Sequence, residues 1–596
     1  MKADLTPAVS AAAFGVARSF TGRRWVLREA GEEQVRALVD SGELSPVLAR
    51  ILAARGVVPE ALGDVLNPTL RRLLPEPSML KDMGRATERT RAAIESGERI
   101  AVFGDYDVDG SSSAALLYDF LSALGRPPRL YIPDRMTEGY GPNAPALLKL
   151  KEEGASLVIT VDCGAAATAA LSAAREAGLD VIVLDHHAVE TPPPAFAQVN
   201  PNQPGDVSGL GHLCAAGVTF LFIVALNRAL RDGGWYAANG VAEPDLMHAL
   251  DLVGLATVCD VVPLEGVNRA FVRAGLSRLN LLGRPGLAAL AAVAGASAPF
   301  TPYHLGFVLG PRINAGGRVG RCSLGAELLT AADPATAQNL ARALDRHNRE
   351  RQALEAVILE EAMALAATQD NSPFLFAAEE GWHPGVVGIV AGRLKDRFAK
   401  PAFVAGFEGG IGRGSARSVP GFDIGAAVRA AREAGILEAG GGHAMAAGFS
   451  LQAGRLDAFR DFLATQFAEA GALLAEHRLE LDTVVAAAGA GERLVAEIGR
   501  AGPFGAGNPE PLVALCDLRV AFADVVGREH VRLRLQGGNG AVLNAIAFRA
   551  VGSPLGEGVL GARGRRIHAA GRLRLNSWNG RAQVQLQLED AAAAGA

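Results

Sequence analysis

Three apolar runs between residues 99 and 184 each stop abruptly at acidic residues, and few folds accommodate that pattern. Residues 99–103 (RIAVF) run into Asp105, Asp107 and Asp109, residues 156–161 (SLVITV) into Asp162, and residues 180–184 (DVIVL) into Asp185, His186 and His187. Short unbroken apolar runs of this kind read as buried strands. Between them, 112–124, 145–153 and 165–177 read as helices, and 129–133 (RLYIP) is a further strand. Strands alternating with helices at this spacing build βαβ units and hence the parallel sheet of an α/β domain. All carboxyl ends of such a sheet lie along one edge, the edge where ligands bind. Acids far apart in the sequence are thereby gathered into one crevice. Asp260, in ATVCDVVPL after an apolar helix at 245–259, can close the ring.

Carboxylates crowded in an apolar setting raise one another's pKa and take up protons. A hard divalent cation removes the conflict, because clustered carboxylate oxygens are what it binds. Taken alone, Asp105, Asp107 and Asp109 read equally as a solvated acidic turn or a helix N-cap, and His186-His187 as a surface turn. At the ends of neighbouring parallel strands the same residues read as a two-metal site for Mn²⁺ or Mg²⁺, with imidazole tilting the choice toward Mn²⁺.

A chain of 596 residues is too long for one core and predicts two to four domains, at ~150 residues each. Its net charge of -5 means that any contact with nucleic acid must come from a local basic patch. The basic residues are almost all arginine, whose forked guanidinium suits phosphate. The five cysteines are scattered without a CxxC pair, against a zinc site or a disulfide frame. The first residues lack a signal-peptide pattern, and the longest apolar stretch, 213–226, is shorter than the ~18–20 residues of a membrane span. The expectation is a soluble, cytoplasmic protein with no membrane partner.

The N-terminal residues read as loosely ordered, then helical. Residues 45–56 (SPVLARILAARG) have a Ser cap, Pro in the first turn and Gly at the end, and 82–97 and 215–230 are further helices. Residues 335–367 form a helix long enough to bridge two domains. A βα-type region follows at 372–470, where GSARS and GGGHAMAAG set small residues beside Arg417 and His443. Glycines let backbone N–H groups approach an anion, and Ser415 and Arg417 can hold a phosphate. The C-terminal part changes to short alternating strands at 531–535, 541–548 and 583–588. There Arg563, Arg565, Arg566, Arg572, Arg574 and Arg581 surround Trp578, which suits a platform for a single strand or, more plainly, a sheet with a solvated arginine face.

GDYDVDG, VDCG, DHH and ATVCDVVPL resemble, in that order, the four motifs of the DHH phosphoesterase family. GPRINAGGRVG (310–320), WHPGVVGIVAGRL (382–394), GSARSVPGFDI (414–424) and GGGHAMAAG (440–448) resemble the DHH-associated domain of that family's single-strand-specific 5′ exonucleases, and PFGAGNPEP (503–511) the lead-in to their C-terminal OB-fold. The resemblance runs from about residue 45 onward. It implies an N-terminal helical lead-in (1–80), a parallel-sheet metal-binding catalytic domain (81–280), a connecting segment with the long helix (281–370), an α/β DHH-associated domain (371–472) and an OB-fold β-barrel (473–596). Asp105, Asp107, Asp109, Asp162, His186 and Asp260 are the expected metal ligands, with Asp162 bridging two ions. Asp185 is expected to accept a hydrogen bond from a histidine, and His187 to meet the scissile phosphate. From the resemblance, Arg135 and Tyr140, with Arg318, Arg351, Ser415, Arg417 and His443, hold the strand and its 5′-phosphate. The implied activity is 5′→3′ degradation of single-stranded DNA to nucleoside 5′-monophosphates in repair and recombination, by a monomer working with single-strand-binding protein and a helicase.

Three rivals share the metal motifs. A phosphodiesterase for cyclic dinucleotides or short oligonucleotides resembles only the two catalytic domains and leaves the arginine-rich C-terminal part unexplained. A non-catalytic replication scaffold fits poorly with a complete set of Asp and His. An inorganic pyrophosphatase needs a His shortly before the Asp cluster, where Phe103 and Gly104 stand.

Overall fold

Ile100–Gly104 (β1), Arg129–Tyr131 (β2), Leu157–Val161 (β3), Asp180–Leu184 (β4) and Ala197–Val199 (β5) pair in the order β2-β1-β3-β4-β5, all parallel. Every residue of β1 and β3 is buried, as unbroken apolar strands require. One face packs Phe103, Val158 and Val183 against Leu147, Leu150, Leu171 and Ala174 of the helices Ala144–Glu152 and Thr168–Glu176. The apolar helix Ala215–Asp232 is buried over most of its length. The helix expected at 245–259 starts as a 3₁₀ turn, Leu246–Ala249, capped by Asp245, and becomes α-helical at Leu250–Cys259. The computed structural model describes residues 11–595 except 43, 136, 140, 370, 471–477, 579 and 580, and leaves aside the side chains of 469, 470, 577, 578, 581 and 582.

The long helix is Pro334–Ala367, 34 residues, opened by Pro334 with Asp333 capping Thr336 N–H at 2.7 Å. It leads to a second sheet. Leu375–Glu380 (β6), Ala402–Glu408 (β7), Ile411–Arg417 (β8), Ala439–His443 (β9) and Ala446–Gln452 (β10) pair in the order β9-β10-β8-β7-β6. Only β6 and β7 are parallel. A cluster of phenylalanines, among them Phe376, Phe403, Phe449 and Phe459, fills its core.

By packing, the chain forms two units. One collects residues 75–262 and 274–475 and contains both sheets; the other collects 1–74, 263–273 and 476–596. The second unit is built on a closed barrel. Thr483–Val484 (β11), Val513–Val526 (β12), His530–Gln536 (β13), Val542–Ala547 (β14), Arg566–Trp578 (β15) and Arg581–Ala593 (β16) pair in the order β11-β12-β13-β14-β16-β15, and β12 also pairs with β15. The two long strands β12 and β15 were not read from the sequence, where alternation is broken by register shifts at Leu515/Leu518 and Val520/Phe522.

The N-terminal stretch, read as helical, also carries a strand. Arg24–Leu27 pairs in parallel with Arg478–Leu481, and the buried Trp25 donates its Nε1–H to Asp590 at 2.9 Å. Four residues are too few to show a period. The arginines read as a cluster are partly committed to acids: Arg566 to Asp517, Arg572 to Glu589 and Arg574 to Glu510. Trp578 and Arg581 have side chains outside the described residues. All five cysteines are free thiols, and no helix among the described residues is long and apolar enough to cross a membrane.

Candidate metal centre and substrate cleft

The acidic edge is assembled by backbone hydrogen bonds. After β1, Asp107 Oδ1 accepts the N–H groups of Asp109 (2.9 Å) and Gly110 (3.1 Å) and so caps the helix Val108–Ala123. The helix N-cap and the acidic cluster are therefore the same feature. Asp109 lies in the first turn, and its two carboxylate oxygens accept N–H from Ala215 (2.7 Å) and Ala216 (2.8 Å), at the N-terminus of the helix Ala215–Asp232. Asp162, directly after β3, has φ +59, a conformation that a non-glycine residue holds only when its surroundings enforce it.

After β4, Asp185 is buried and turned inward. Its Oδ2 accepts Ala165 N–H (3.0 Å); its Oδ1 accepts His186 N–H (2.7 Å), His187 N–H (3.2 Å) and the His187 ring at Nδ1 (2.8 Å). Asn200 and Asn202 donate side-chain N–H to the carbonyls of His187 (2.8 Å) and His186 (2.7 Å) and fix both histidine backbones.

Three oxygens converge on His186 Nε2: Asp162 Oδ1 at 3.4 Å, Asp260 Oδ2 at 3.6 Å and Asp109 Oδ2 at 3.8 Å. These distances are too long for good hydrogen bonds, and among the described residues neither His186 Nε2 nor Asp260 Oδ2 has a hydrogen-bond partner although both atoms are buried. Donor atoms of Asp105, Asp107 and Asp162 lie within 4.8 Å of one another, as do those of Asp162, His186 and His187 and those of Asp109, His186 and Asp260. Asp162 belongs to two of the three groups. Hard oxygen donors with one imidazole, buried and poorly satisfied, fit a pair of divalent cations.

The titration behaviour agrees. Burial, then the neighbouring Asp107, pushes Asp105 up to about 8; burial, then Asp109 and Asp107, pushes Asp260 up to about 9. Asp109 and Asp162 are raised as well, first by burial. Asp185 goes the other way: burial opposes its charge, but the hydrogen bond from His187 and that ring's charge hold it below the ordinary carboxylate range. Against its own burial, His187 is raised to about 9 by Asp185. Adjacent carboxyls thus separate into crowded ones that resist ionising and one that is ionised and holds a proton on its neighbour.

Beside this edge, in the same unit, lies a cavity of about 640 Å³. Tyr106, Arg135 and Arg318 line it on one side and Arg413, Ser415 and Arg417 on the other. Arg135 donates to Tyr106 Oη (2.5 Å), with its guanidinium carbon 5.2 Å from the ring centroid. Gly317 is required here, since a Cβ would fall 1.9 Å from the Tyr106 ring. Arg318 donates to Gly385 O (3.0 Å), and Arg417 to Ser415 Oγ and Ala416 O (both 2.9 Å). Burial lowers the pKa of both Arg318 and Arg417.

Arg351 and His443 are not among the residues that line this cavity. Arg351 is buried on the long helix and bound to Glu355 (2.8 Å) and Asn348 (3.0 Å). His443 is exposed at the end of β9 and outside the cavity lining. Tyr140 lies outside the described residues. Tyr106, Arg413, Asn200 and Asn202 escaped the sequence reading. Arg413 was findable, because it shares the alternating face of β8 with Ser415 and Arg417. Tyr106 sits inside the acidic motif, where its spacing alone gives no sign that its ring lines a cavity.

Comparison with known proteins agrees with this layout. Residues 99–256 match the DHH family N-terminal domain, 371–469 the DHHA1 domain and 481–590 the RecJ OB domain. The single-stranded-DNA-specific exonuclease RecJ of Dickeya dadantii is 36% identical over 92% of this chain and 96% of its own length. That of Bacillus subtilis is 34% identical over 96% of this chain and 71% of its own. The crystal structure of Thermus thermophilus RecJ in complex with Mn²⁺ superposes with a TM-score of 0.80 at 30% identity, covering 96% of this chain and 79% of that one. With the metal motifs in place and likeness of this depth along nearly the whole length, the chain belongs to the RecJ family.

Proposed function

We propose that the chain is a metal-dependent exonuclease that degrades single-stranded DNA 5′→3′, releasing nucleoside 5′-monophosphates during DNA repair and recombination. The observation that carries this reading is a juxtaposition: an acid cluster suited to two cations beside a pocket lined by arginines and Ser415. A phosphate held by Ser415 and Arg417 sets a terminal nucleotide against the cluster. Family membership gives the substrate class.

Asp105, Asp107, Asp109, Asp162, His186 and Asp260 would hold two ions, Asp162 being the residue placed to serve both. Mn²⁺ or Mg²⁺ bound there would supply a lowered water pKa and neutralise charge on the scissile phosphate. The protein's own groups do the rest. Ser415 and Arg417 bind the 5′-phosphate, and Arg318 and Arg135 the following backbone. Tyr106, fixed by Arg135 and Gly317, forms the wall that sets the depth of the terminal nucleotide. Asp185 holds the Nδ1 proton of His187, which leaves Nε2–H facing the cleft to protonate the departing 3′ oxygen. Arg351 supports the long helix rather than the strand.

Both faces of this site belong to one unit of one chain, which suits a monomer. The barrel carries Phe522, exposed, with Arg532 5.7 Å over its ring, a suitable patch for a strand. Single-strand-binding protein and a helicase, which cover and expose such strands, are the expected partners in the cytoplasm.

The test is digestion of single-stranded DNA labelled at either end, with Mn²⁺. Stepwise release of mononucleotides from the 5′ label is expected. Release from the 3′ label first, or hydrolysis of dinucleotides with no attack on long strands, would overturn the reading.

A further inference from the structure

Soluble proteins seldom leave two large aromatic side chains exposed side by side. Tyr303 is 61% and Phe307 72% exposed, and their rings stack with centroids 5.2 Å apart and planes 24° apart. The two are four positions apart around a π-helical turn, His304–Leu309, so they share one face. Turns of this kind are uncommon and collect at functional sites.

The pair is rigidly mounted. His304 Nδ1 accepts Thr301 N–H (3.1 Å) and lies 2.9 Å from Thr301 Oγ1, while its ring packs edge-on against Phe300 and Tyr303. Phe300 is buried and its N–H donates to Asn280 Oδ1 (2.7 Å). On the inner side, Leu305 and Leu309 are fully buried.

The mount rests on the metal centre's own scaffold. Leu305 O accepts the Cys259 thiol (3.4 Å), one residue before Asp260. Gly310 packs so closely that a Cβ would lie 2.5 Å from Cys259 Sγ. The acid cluster has two ends. Asp105 and Asp107 flank Tyr106, which lines the arginine pocket; Asp260 stands at the other end, joined to Asp162 through His186. On the exonuclease reading, a strand with its 5′ terminus in the pocket would cross the cluster from the Tyr106 end toward Asp260.

We propose that Tyr303 and Phe307 form a stacking platform for bases of single-stranded DNA on the 3′ side of the scissile bond. The inference rests on the exonuclease reading above and adds a binding site to it. Every base has a π-face, so the platform is indifferent to sequence. In a duplex those faces are covered by neighbouring pairs, so the platform also selects for single strands. Substrate long enough to reach it gains affinity that a dinucleotide lacks.

The experiment measures kcat/KM for 5′-phosphorylated oligothymidylates from two to twelve nucleotides with Mn²⁺, in the wild type, in the double variant Tyr303→Ala/Phe307→Ala and in Tyr303→Trp/Phe307→Trp. The wild type gains kcat/KM with length. The alanine variant loses about ten- to a hundredfold of that gain, the size of one lost stacked base, and the tryptophan variant retains it. One abasic residue placed opposite the platform costs the wild type a similar factor and the alanine variant almost nothing. A length gain that survives in the alanine variant, or equal losses on two- and twelve-nucleotide substrates, refutes the platform, and so does an abasic penalty equal in both proteins. A surface reserved for a protein partner gives the first of these results. Failure of the wild type to digest the twelve-nucleotide strand from its 5′ end removes the exonuclease reading and the platform with it.

Discussion

Asp105, Asp109, Asp162 and Asp260 sit at the ends of strands or helices, whereas Arg413, Ser415 and Arg417 sit along the face of one strand. Asp105, Asp109 and Asp162 are buried and Asp260 half-buried; Asp109 is held by the N–H groups of Ala215 and Ala216, and burial with neighbouring carboxylates raises all four. Arg413 is exposed, while Arg417 and the nearby Arg318 are half-buried and anchored to carbonyls and a hydroxyl. One wall stores unfavourable charge for a cation to relieve, and the other offers unspent positive charge to a phosphate. The difference assigns chemistry to the first and choice of substrate end to the second. It is tested by substitutions that affect one wall and spare the other.

The largest expected effect is at Asp162, shared by two ligand groups. Asp162→Asn keeps the side-chain shape and removes the charge from both. Exonuclease activity with Mn²⁺ should fall about 10³-fold or more, since ions at such sites supply several kcal/mol of transition-state stabilisation. Near-native circular dichroism should accompany the loss. A variant within tenfold of wild type would show that the acid edge is not the chemical half.

Arg417→Ala addresses the other wall. Loss of a charge-assisted contact to a terminal phosphate raises KM for a 5′-phosphorylated strand by about 10- to 150-fold. Because the contact is made before and during reaction alike, kcat should change far less. The wild-type preference for 5′-phosphate over 5′-hydroxyl strands should shrink in parallel. An unchanged preference would place the terminus elsewhere.

Asp185→Asn falls between the two walls. Asp185 touches no substrate, but three backbone N–H groups and the His187 ring all donate to its carboxylate. An amide cannot accept them all, and His187 loses the partner that fixes its tautomer. Supporting groups of this kind typically cost 10–100-fold in activity when removed. A rate equal to wild type would mean that His187 orients without Asp185.

The two walls were unequally visible in the sequence. An apolar run ending in acid reports both a strand and what lies at its end, so the parallel sheet, Asp105 through Asp109, Asp162, His186 and Asp260 could all be read. The arginine wall depends on which face of β8 meets the helix end at Arg318 and on what encloses it, and neither has a period to read. Arg351 was legible as a charge but not as a buried one, because Asn348 and Glu355 capture it from its own helix. The barrel's closure by pairing of β12 with β15 joins strands well separated in sequence, and bulges hide their alternation. Tyr303 and Phe307 left no signal, because exposure is a property of the packed molecule.

The smallest expected effect is thermodynamic and separates the walls without any substrate. In chelator-treated protein, folded Asp105 titrates at about 8 and Asp260 at about 9, with Asp109 and Asp162 also raised, against ~3.9 for an unfolded aspartate. Between those limits the folded state holds protons that the unfolded state has released. The stabilisation these four groups contribute is therefore complete below about pH 4 and is lost as pH rises toward 9. His187, raised to about 9, adds to the loss above ~6.5. Asp185 has the opposite sign, but its stabilisation is lost only at acid pH, below the ordinary carboxylate range. Metal-free protein should show a melting temperature that declines from pH 5 to 9. Mn²⁺ should raise it most at the alkaline end, where ions replace protons. Asp162→Asn should flatten the metal-free decline, and Arg417→Ala should leave its slope alone, because the arginines stay charged throughout. A slope that responds to Arg417→Ala and ignores Asp162→Asn would reverse the assignment of stored charge to the acid edge.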